Sequence, residues 1–576
     1  MQRREFLQTV GATAPVALAS QSVAAAETDA AAIGRGLSAE PRVFIYDDGR
    51  HANPLYQFAP PLTPQDYVFT VDQLVGSGVD TLIYSAGLEG GVVQYDSRFA
   101  QKWGDNVDVW THEIFYRASR NLHQIIADGH DPMKLYCDRC HEKGLWFIPT
   151  APVCILGTDR KKWGGLGRTS DFAYRSELQV GPDNDPQAKN LGRFFQTYRL
   201  NFLNPEVRQE RFRIFEELLD RYETDGIELD LSIDNEFGPF CRFREMDRLA
   251  PLLTKWIGEL RAVAQKVEQT QSRRKRIYVR IPAQTPAVWK SLGFEVEKWI
   301  SQKLVDGLVC LSTNRPMLDQ DLDLTAAVKL TRGTGCRVLA GFEDEFLGRS
   351  REHKATPSMI RAAAANAYDR GGDGFGIAGA MWAPEGWPWP GDEYQTLRLL
   401  GHPDMLATAD KIYRALSLQS GRRQPTGLFP PAETVLPRAV AEGQSLTVRL
   451  HIADDLPRWQ AEGKLDEVRL RVHLTNFEAG LNEARVELNK RVLPDSILSK
   501  GDLHFRAIKN AIAGPYGYLF DFLLPLEYFP ERGDNLVKIT LVKRDPKLKL
   551  PVEVYDVDCS IKYRVHRHFE RVPLDY

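Results

Sequence analysis

Tyr222-Glu-Thr-Asp-Gly-Ile-Glu-Leu-Asp-Leu231, running on into Ser232-Ile-Asp-Asn-Glu236, decides the fold. Gly226 to Leu231 reads as a short buried strand, entered from a helix and left through a polar loop. Side chains alternate along a strand, so Glu228 and Asp230 share one face while Ile227 and Leu229 share the other. Two carboxylates on one face of an otherwise apolar strand are costly to bury without a partner or a task. The C-terminal mouth of a parallel barrel strand is where such groups do chemistry. The competing structural reading is an ion pair with an inward arginine.

Working outward, seven further segments read as buried strands, each followed by a polar loop and then a helical pattern. They are Arg42–Tyr46, Thr81–Ser85, Leu145–Pro149, Ile277–Ile281, Gly307–Leu311, Arg337–Gly341 and Gly374–Ala378. The intervening helices are clearest at Pro205–Tyr222 and Asp247–Glu268. The first of these has Asn204 as N-cap and Pro205 at its first helical position. Eightfold strand–helix alternation predicts an α/β chain folded as a (β/α)8 TIM barrel with enlarged loops. A doubly wound open sheet competes, but no Gly-rich phosphate loop follows the first strand.

The pattern changes at the Pro-rich stretch Arg422-Arg-Gln-Pro-Thr-Gly-Leu-Phe-Pro-Pro431. Beyond it lie runs of period-two polarity at Ser445–His451, Glu467–Leu474, Ala484–Leu488, Tyr516–Phe522, Asn535–Leu541 and Val554–Tyr563. Such runs predict an antiparallel β-sandwich. Few aromatic residues are exposed on them, which suits a structural accessory role.

The N-terminus, Gln2-Arg-Arg-Glu-Phe-Leu-Gln8, reads as a twin-arginine export motif. A weakly apolar region follows at Val10–Ala19, and a cleavage site at Val23-Ala-Ala-Ala26. The expected organisation is a signal peptide over 1–26, the barrel over 27–418, a linker over 419–435 and the sandwich over 436–576. The destination is periplasmic or extracellular. A net charge of −3, with 43% hydrophobic and 26% charged residues, gives no electrostatic case for nucleic acid. No apolar run after residue 26 is long enough to span a bilayer. Seven cysteines in 576 residues make no disulfide scaffold. Cys137-Asp-Arg-Cys140-His141 lacks a second pair and sits in a helical stretch, so packing is the expected role.

The strand ends nominate the chemistry. The first strand runs into Tyr46-Asp47-Asp48-Gly-Arg50, and the fourth supplies Glu228 and Asp230. The fifth brings Arg280, and Asn314 and Arg315 follow the sixth. The seventh leads into Gly341-Phe-Glu343-Asp-Glu345, and the eighth into a loop with Trp382, Trp387 and Trp389. Paired carboxylates are what glycosidic cleavage requires: one protonates the leaving oxygen, and the other attacks the sugar or activates water. Tryptophan faces offer pyranose rings an apolar platform, though these three also suit packing of a Pro-rich loop.

Asn204-Pro-Glu-Val-Arg208, followed by Tyr222–Asp230, resembles a glycoside-hydrolase-like TIM-barrel family of exported bacterial proteins. Gly129-His-Asp-Pro-Met133, Cys140-His-Glu-Lys-Gly-Leu145 and Gly371-Gly-Asp-Gly-Phe-Gly-Ile377 are similar to that group as well. The resemblance spans about residues 40 to 415 and implies that Asp230 and Glu228 lie in the active-site mouth. A looser likeness to the large retaining glycosidase clan, with its nucleophile at the end of strand seven, implies Glu343 as nucleophile. Where that clan carries Asn-Glu at strand four, this chain has Glu-Leu-Asp. The same run has some likeness to the chitinase pattern, but no Glu fills the terminal acid position in register.

The expected protein is an exported glycoside hydrolase acting on an oligo- or polysaccharide. Asp230 or Glu228 serves as acid/base and Glu343 as the second carboxylate. Asp47, Arg280, Asn314, Trp382 and Trp387 bind substrate. No metal or organic cofactor is expected, and the oligomeric state is left open. The alternatives are a catalytically silent carbohydrate-binding barrel, and a metal-dependent hydrolase using Asp47, Asp48, Glu228 and Asp230. The second is weakened because histidine does not recur on the inner strand faces.

Overall fold

The computed structural model describes residues 40–47, 49, 53–191, 198–233, 236–313, 318–342, 355–378, 391–416, 429, 436–503 and 517–564. Eight parallel strands close into a barrel: β1 (Val43–Asp47), β2 (Thr81–Ser85), β3 (Trp146–Pro152), β4 (Gly226–Asp230), β5 (Arg276–Pro282), β6 (Gly307–Leu311), β7 (Arg337–Phe342) and β8 (Gly374–Ala378). Each pairs with its neighbour in sequence, and β8 returns to β1 through Val43↔Phe375 to Tyr46↔Ala378. The expected TIM barrel is therefore present, with all eight predicted strands in it.

Local sequence explains the elements. Helix Pro205–Asp220 begins where the Asn204 side chain accepts from Glu206 N at 2.9 Å, with Pro205 at its first position. Helix Met246–Gln271 buries Leu249, Leu253, Trp256, Ile257, Leu260 and Ala264 along one stripe, the spacing of a helix laid against a barrel wall. Cys137 and Cys140 are buried in helix Pro132–Glu142. Burial, with the Asp225 charge adding to it, pushes the Cys137 thiol up to about 12, so it packs as a neutral apolar group.

The C-terminal part forms two antiparallel sheets. Its strands are β9 (Lys411–Arg414), β10 (Arg438–Val440), β11 (Ser445–Ile452), β12 (Leu465–Thr475), β13 (Glu483–Leu488), β14 (Arg491–Val492), β15 (Leu498–Asp502), β16 (Gly517–Leu523), β17 (Gly533–Lys543) and β18 (Val552–Tyr563). One sheet runs β9-β18-β12-β16-β15 with β10 on β18, and the other runs β11-β17-β13-β14. All six alternating runs became strands. Lys411–Arg414, which the sequence reading leaves inside 27–418, pairs with Asp558–Ile561 of β18 and so belongs to the C-terminal sheet. Four residues are too few for periodicity to announce a strand. Barrel and sandwich are joined by directed bonds: Gln320 Nε2 donates to Ile412 O, and Asn366 Nδ2 to His451 O, each at 2.9 Å. Among the described residues, no helix is long and apolar enough to cross a membrane.

Candidate active site

The barrel interior changes character along its axis. At the N-terminal end, the Phe44 and Tyr278 rings meet edge to face at 5.1 Å. Higher up, the inward side chains of β1, β3, β4 and β5 form a polar cluster. Glu228, with no solvent exposure, accepts from Arg280 Nη2 at 2.8 Å and Thr150 Oγ1 at 3.1 Å, and from the Tyr46 phenol, which reaches it from across the barrel. The Arg280 guanidinium also lies over the Tyr46 ring, 4.4 Å from its centroid, a cation–π contact. Gly376 on β8 makes the room for that ring, since a Cβ there would sit 2.8 Å from Tyr46 Cε2.

Asp230, one inward position nearer the mouth, is held differently. Its Oδ1 accepts from Ser232 N at 2.8 Å and Ser232 Oγ at 2.6 Å, and its Oδ2 from Arg280 Nη1 at 3.3 Å. Its side chain keeps 15% exposure, against 0% for Glu228. Burial pushes the Glu228 carboxyl above its ordinary range, with Arg280 and the Tyr46 bond opposing. Burial and the Glu228 charge likewise push the Tyr46 phenol up, so it stays a donor. The inward-arginine ion pair therefore exists, with Arg280 reaching both carboxylates, while Asp230 alone of the two keeps access to solvent.

The structure thus brings together Glu228, Asp230 and Arg280. It keeps Asp47 apart. Tyr46 faces inward, so Asp47 faces out, where it accepts from Gly49 N at 2.9 Å, Asn53 Nδ2 at 3.1 Å and Tyr136 OH at 2.9 Å. Asp47 is a buried tie between the barrel wall and helix Pro132–Glu142, and it does not converge with Glu228 and Asp230 as the metal-dependent reading needs. Glu343, Asn314, Arg315, Trp382, Trp387, Trp389, Asp48 and Asp234 lie outside the described residues. Tyr46 and Thr150 went unnoticed in the sequence; the signal for Tyr46 was its place two residues after Phe44 on β1.

One described group brings metal-ligand atoms together: Asp321, His451 and Asp534, within 4.8 Å of one another. Arg370 and Arg449 already bond Asp321, and His451 lies between Asp369 and Asp534. Cations of the protein itself occupy these carboxylates, so the group is a charge network.

No family model matches the chain, and no curated protein matches it. Solved structures do. A cycloisomaltooligosaccharide glucanotransferase from Paenibacillus sp. is similar at TM-score 0.32 and 11% identity, over 90% of this chain and 57% of that one. The PgaB (BpsB) glycoside hydrolase domain from Bordetella bronchiseptica gives 0.35 and 15%, over 63% and 96%. A maltogenic α-amylase, AmyB, from Thermotoga neapolitana gives 0.37 and 10%, over 87% and 98%. The chain spans just over half the length of the first of these. At such scores the barrel assignment rests on the strand pairing described above.

Proposed function

We propose that the protein is an exported glycoside hydrolase that cleaves an oligo- or polysaccharide, with Asp230 as the reacting carboxylate on β4. The observation that carries this reading is the division of labour between Asp230 and Glu228. Two carboxylates share one arginine, but only Asp230 keeps exposure at the mouth. Glu228, covered by Tyr46, Thr150 and Arg280, positions Arg280 rather than meeting substrate. Arg280 in turn orients Asp230 and offsets charge beside it. The second carboxylate of the pair is assigned to Glu343 on the resemblance. Their separation would decide between retention at about 5 Å and inversion at about 6.5–9.5 Å. The twin-arginine motif at residues 2–8 is what supports the export part of this reading.

The test is Asp230→Asn and Glu343→Gln, each assayed against a glycan panel on which the parent turns over. Each variant is expected to lose about 10²-fold or more in kcat. Full turnover by both overturns the reading. A silent carbohydrate-binding barrel is the second reading, favoured by the neutralisation of Glu228 through Arg280. It predicts glycan binding by the parent without cleavage.

A further inference from the structure

We propose that Tyr46 is a positioning residue for the reaction at Asp230, acting from the far side of the barrel through Glu228 and Arg280. The inference rests on the glycoside hydrolase reading and adds β1 and β8 to a site built on β4 and β5.

The barrel is arranged to let the phenol cross it. β8 stands four strands from β4 in either direction round the ring, and its inward residue at this level is Gly376, paired with Gly341 of β7. Glycine at both places leaves that wall without side chains, and the Tyr46 ring lies against it. A Cβ on Gly376 would meet Tyr46 Cε2 at 2.8 Å and its hydroxyl oxygen at 3.4 Å. The ring, 5% exposed, thereby sets its hydroxyl on the Glu228 carboxylate.

The task of that hydroxyl follows from how Glu228 is shared. Its Oε1 accepts from Arg280 Nη2 at 2.8 Å and from Thr150 Oγ1 at 3.1 Å. Its Oε2 accepts from Tyr46 alone among the described residues. Glu228 has no exposure, so losing the phenol leaves a buried carboxylate oxygen without a donor, which is costly. The carboxylate answers by taking up a proton or by turning Oε2 toward Arg280, and either answer moves the guanidinium. Arg280 is the group beside the reacting carboxylate: its Nη1 reaches Asp230 Oδ2 at 3.3 Å. Its guanidinium carbon also lies 4.4 Å from the Tyr46 ring centroid. Tyr46 therefore holds Arg280 twice, directly at its face and, through Glu228, at its donors. Fixing a charged group beside a reacting carboxylate is preorganisation, and small misplacements there are expensive in rate.

The experiment measures kcat and KM of Tyr46→Phe, Glu228→Gln and the double variant on a glycan that the parent cleaves, with urea unfolding of each. Phenylalanine keeps the ring at Arg280 and removes only the hydroxyl. Tyr46→Phe is expected to lower kcat by about tenfold or more with KM unchanged. The same change in the Glu228→Gln background, where there is no charge for the phenol to hold, is expected to cost less than about twofold. A tyrosine that only packs would lower turnover alike in both backgrounds. Equal losses, or unchanged turnover by Tyr46→Phe, overturn the proposal. If Tyr46→Phe does not fold, Gly376→Ala, which displaces the ring without altering it, takes its place with the same expectations. A parent that cleaves glycans, loses turnover on Asp230→Asn and ignores Tyr46→Phe sinks this inference and leaves the glycoside hydrolase reading standing. A parent that cleaves nothing overturns both.

Discussion

Arg280 holds Glu228 at 2.8 Å in a barrel layer where the carboxylate has no exposure. Removing one partner of a buried pair strands the other charge, a cost of about 3–5 kcal/mol. Arg280→Met is therefore expected to lower stability by about that much, read by urea unfolding at pH 7. A loss below about 1 kcal/mol would mean that Tyr46 and Thr150 alone suffice for Glu228.

The raised Glu228 carboxyl gives a pH signature. A carboxyl whose folded value lies above its unfolded one, about 4.3 for glutamate, contributes stability that is fully present below the unfolded value. That contribution is lost as pH rises through the folded value. Glu228→Gln has no such contribution to lose. Its stability relative to the parent should rise from pH 4 to pH 8, checked by unfolding at a series of pH values. A constant difference would refute the raised value.

Asp225, just before β4, behaves oppositely. Burial alone would raise its carboxyl, but His141 Nε2 at 2.8 Å, Arg273 Nη1 at 2.9 Å and Phe147 N at 2.9 Å outweigh it and hold it below the ordinary range. Its contribution is present above the unfolded value, about 3.9, and is lost as pH falls through the folded one. Asp225→Asn should cost about 3 kcal/mol near neutrality, and the gap to the parent should close on acidification below about pH 4. A gap that widens in acid would contradict the depressed value.

The barrel was legible because each strand is a short run of Val, Ile, Leu and Phe bounded by polar loops, and burial on both faces demands that composition. β14 and β15 were not, because Arg491-Val492 is only two residues and Leu498-Ser-Lys-Gly-Asp502 sits at a sheet edge, where little apolar pattern is needed. At the site, Glu228, Asp230 and Arg280 followed from period two alone. Asp47 lies one position off the inward face: a one-residue shift along a strand turns a side chain to the other face, and Tyr46 holds the inward place. Nothing in one sequence says that a tyrosine on β1 and a glutamate on β4 meet across a barrel.

Asp369 ties the two domains. It accepts from His451 Nε2 at 2.8 Å and from Arg532 Nη2 at 2.7 Å, both from the sandwich, while itself ending helix Pro357–Asp369 of the barrel. Interfaces built on such bonds couple the unfolding of the parts they join. Asp369→Ala should split a single calorimetric transition into two, the sandwich and the barrel melting apart. One unchanged transition would show that the Gln320 and Asn366 bonds are enough to couple them.

Gly376→Ala tests the Tyr46–Glu228 contact without touching either residue. The new methyl would lie 2.8 Å from Tyr46 Cε2 and 3.4 Å from its hydroxyl oxygen, so the ring has to shift and the phenol leaves its place on Glu228. Overpacking of this kind costs about 1–3 kcal/mol. If that cost runs through the phenol, Gly376→Ala in a Tyr46→Phe background should cost measurably less than in the parent, because the hydrogen bond it would disturb is already gone. Urea unfolding of the four proteins gives the coupling energy directly, expected at about 0.5 kcal/mol or more for residues in contact. Strict additivity would place the strain elsewhere on β8 and remove Gly376 from the account of the site.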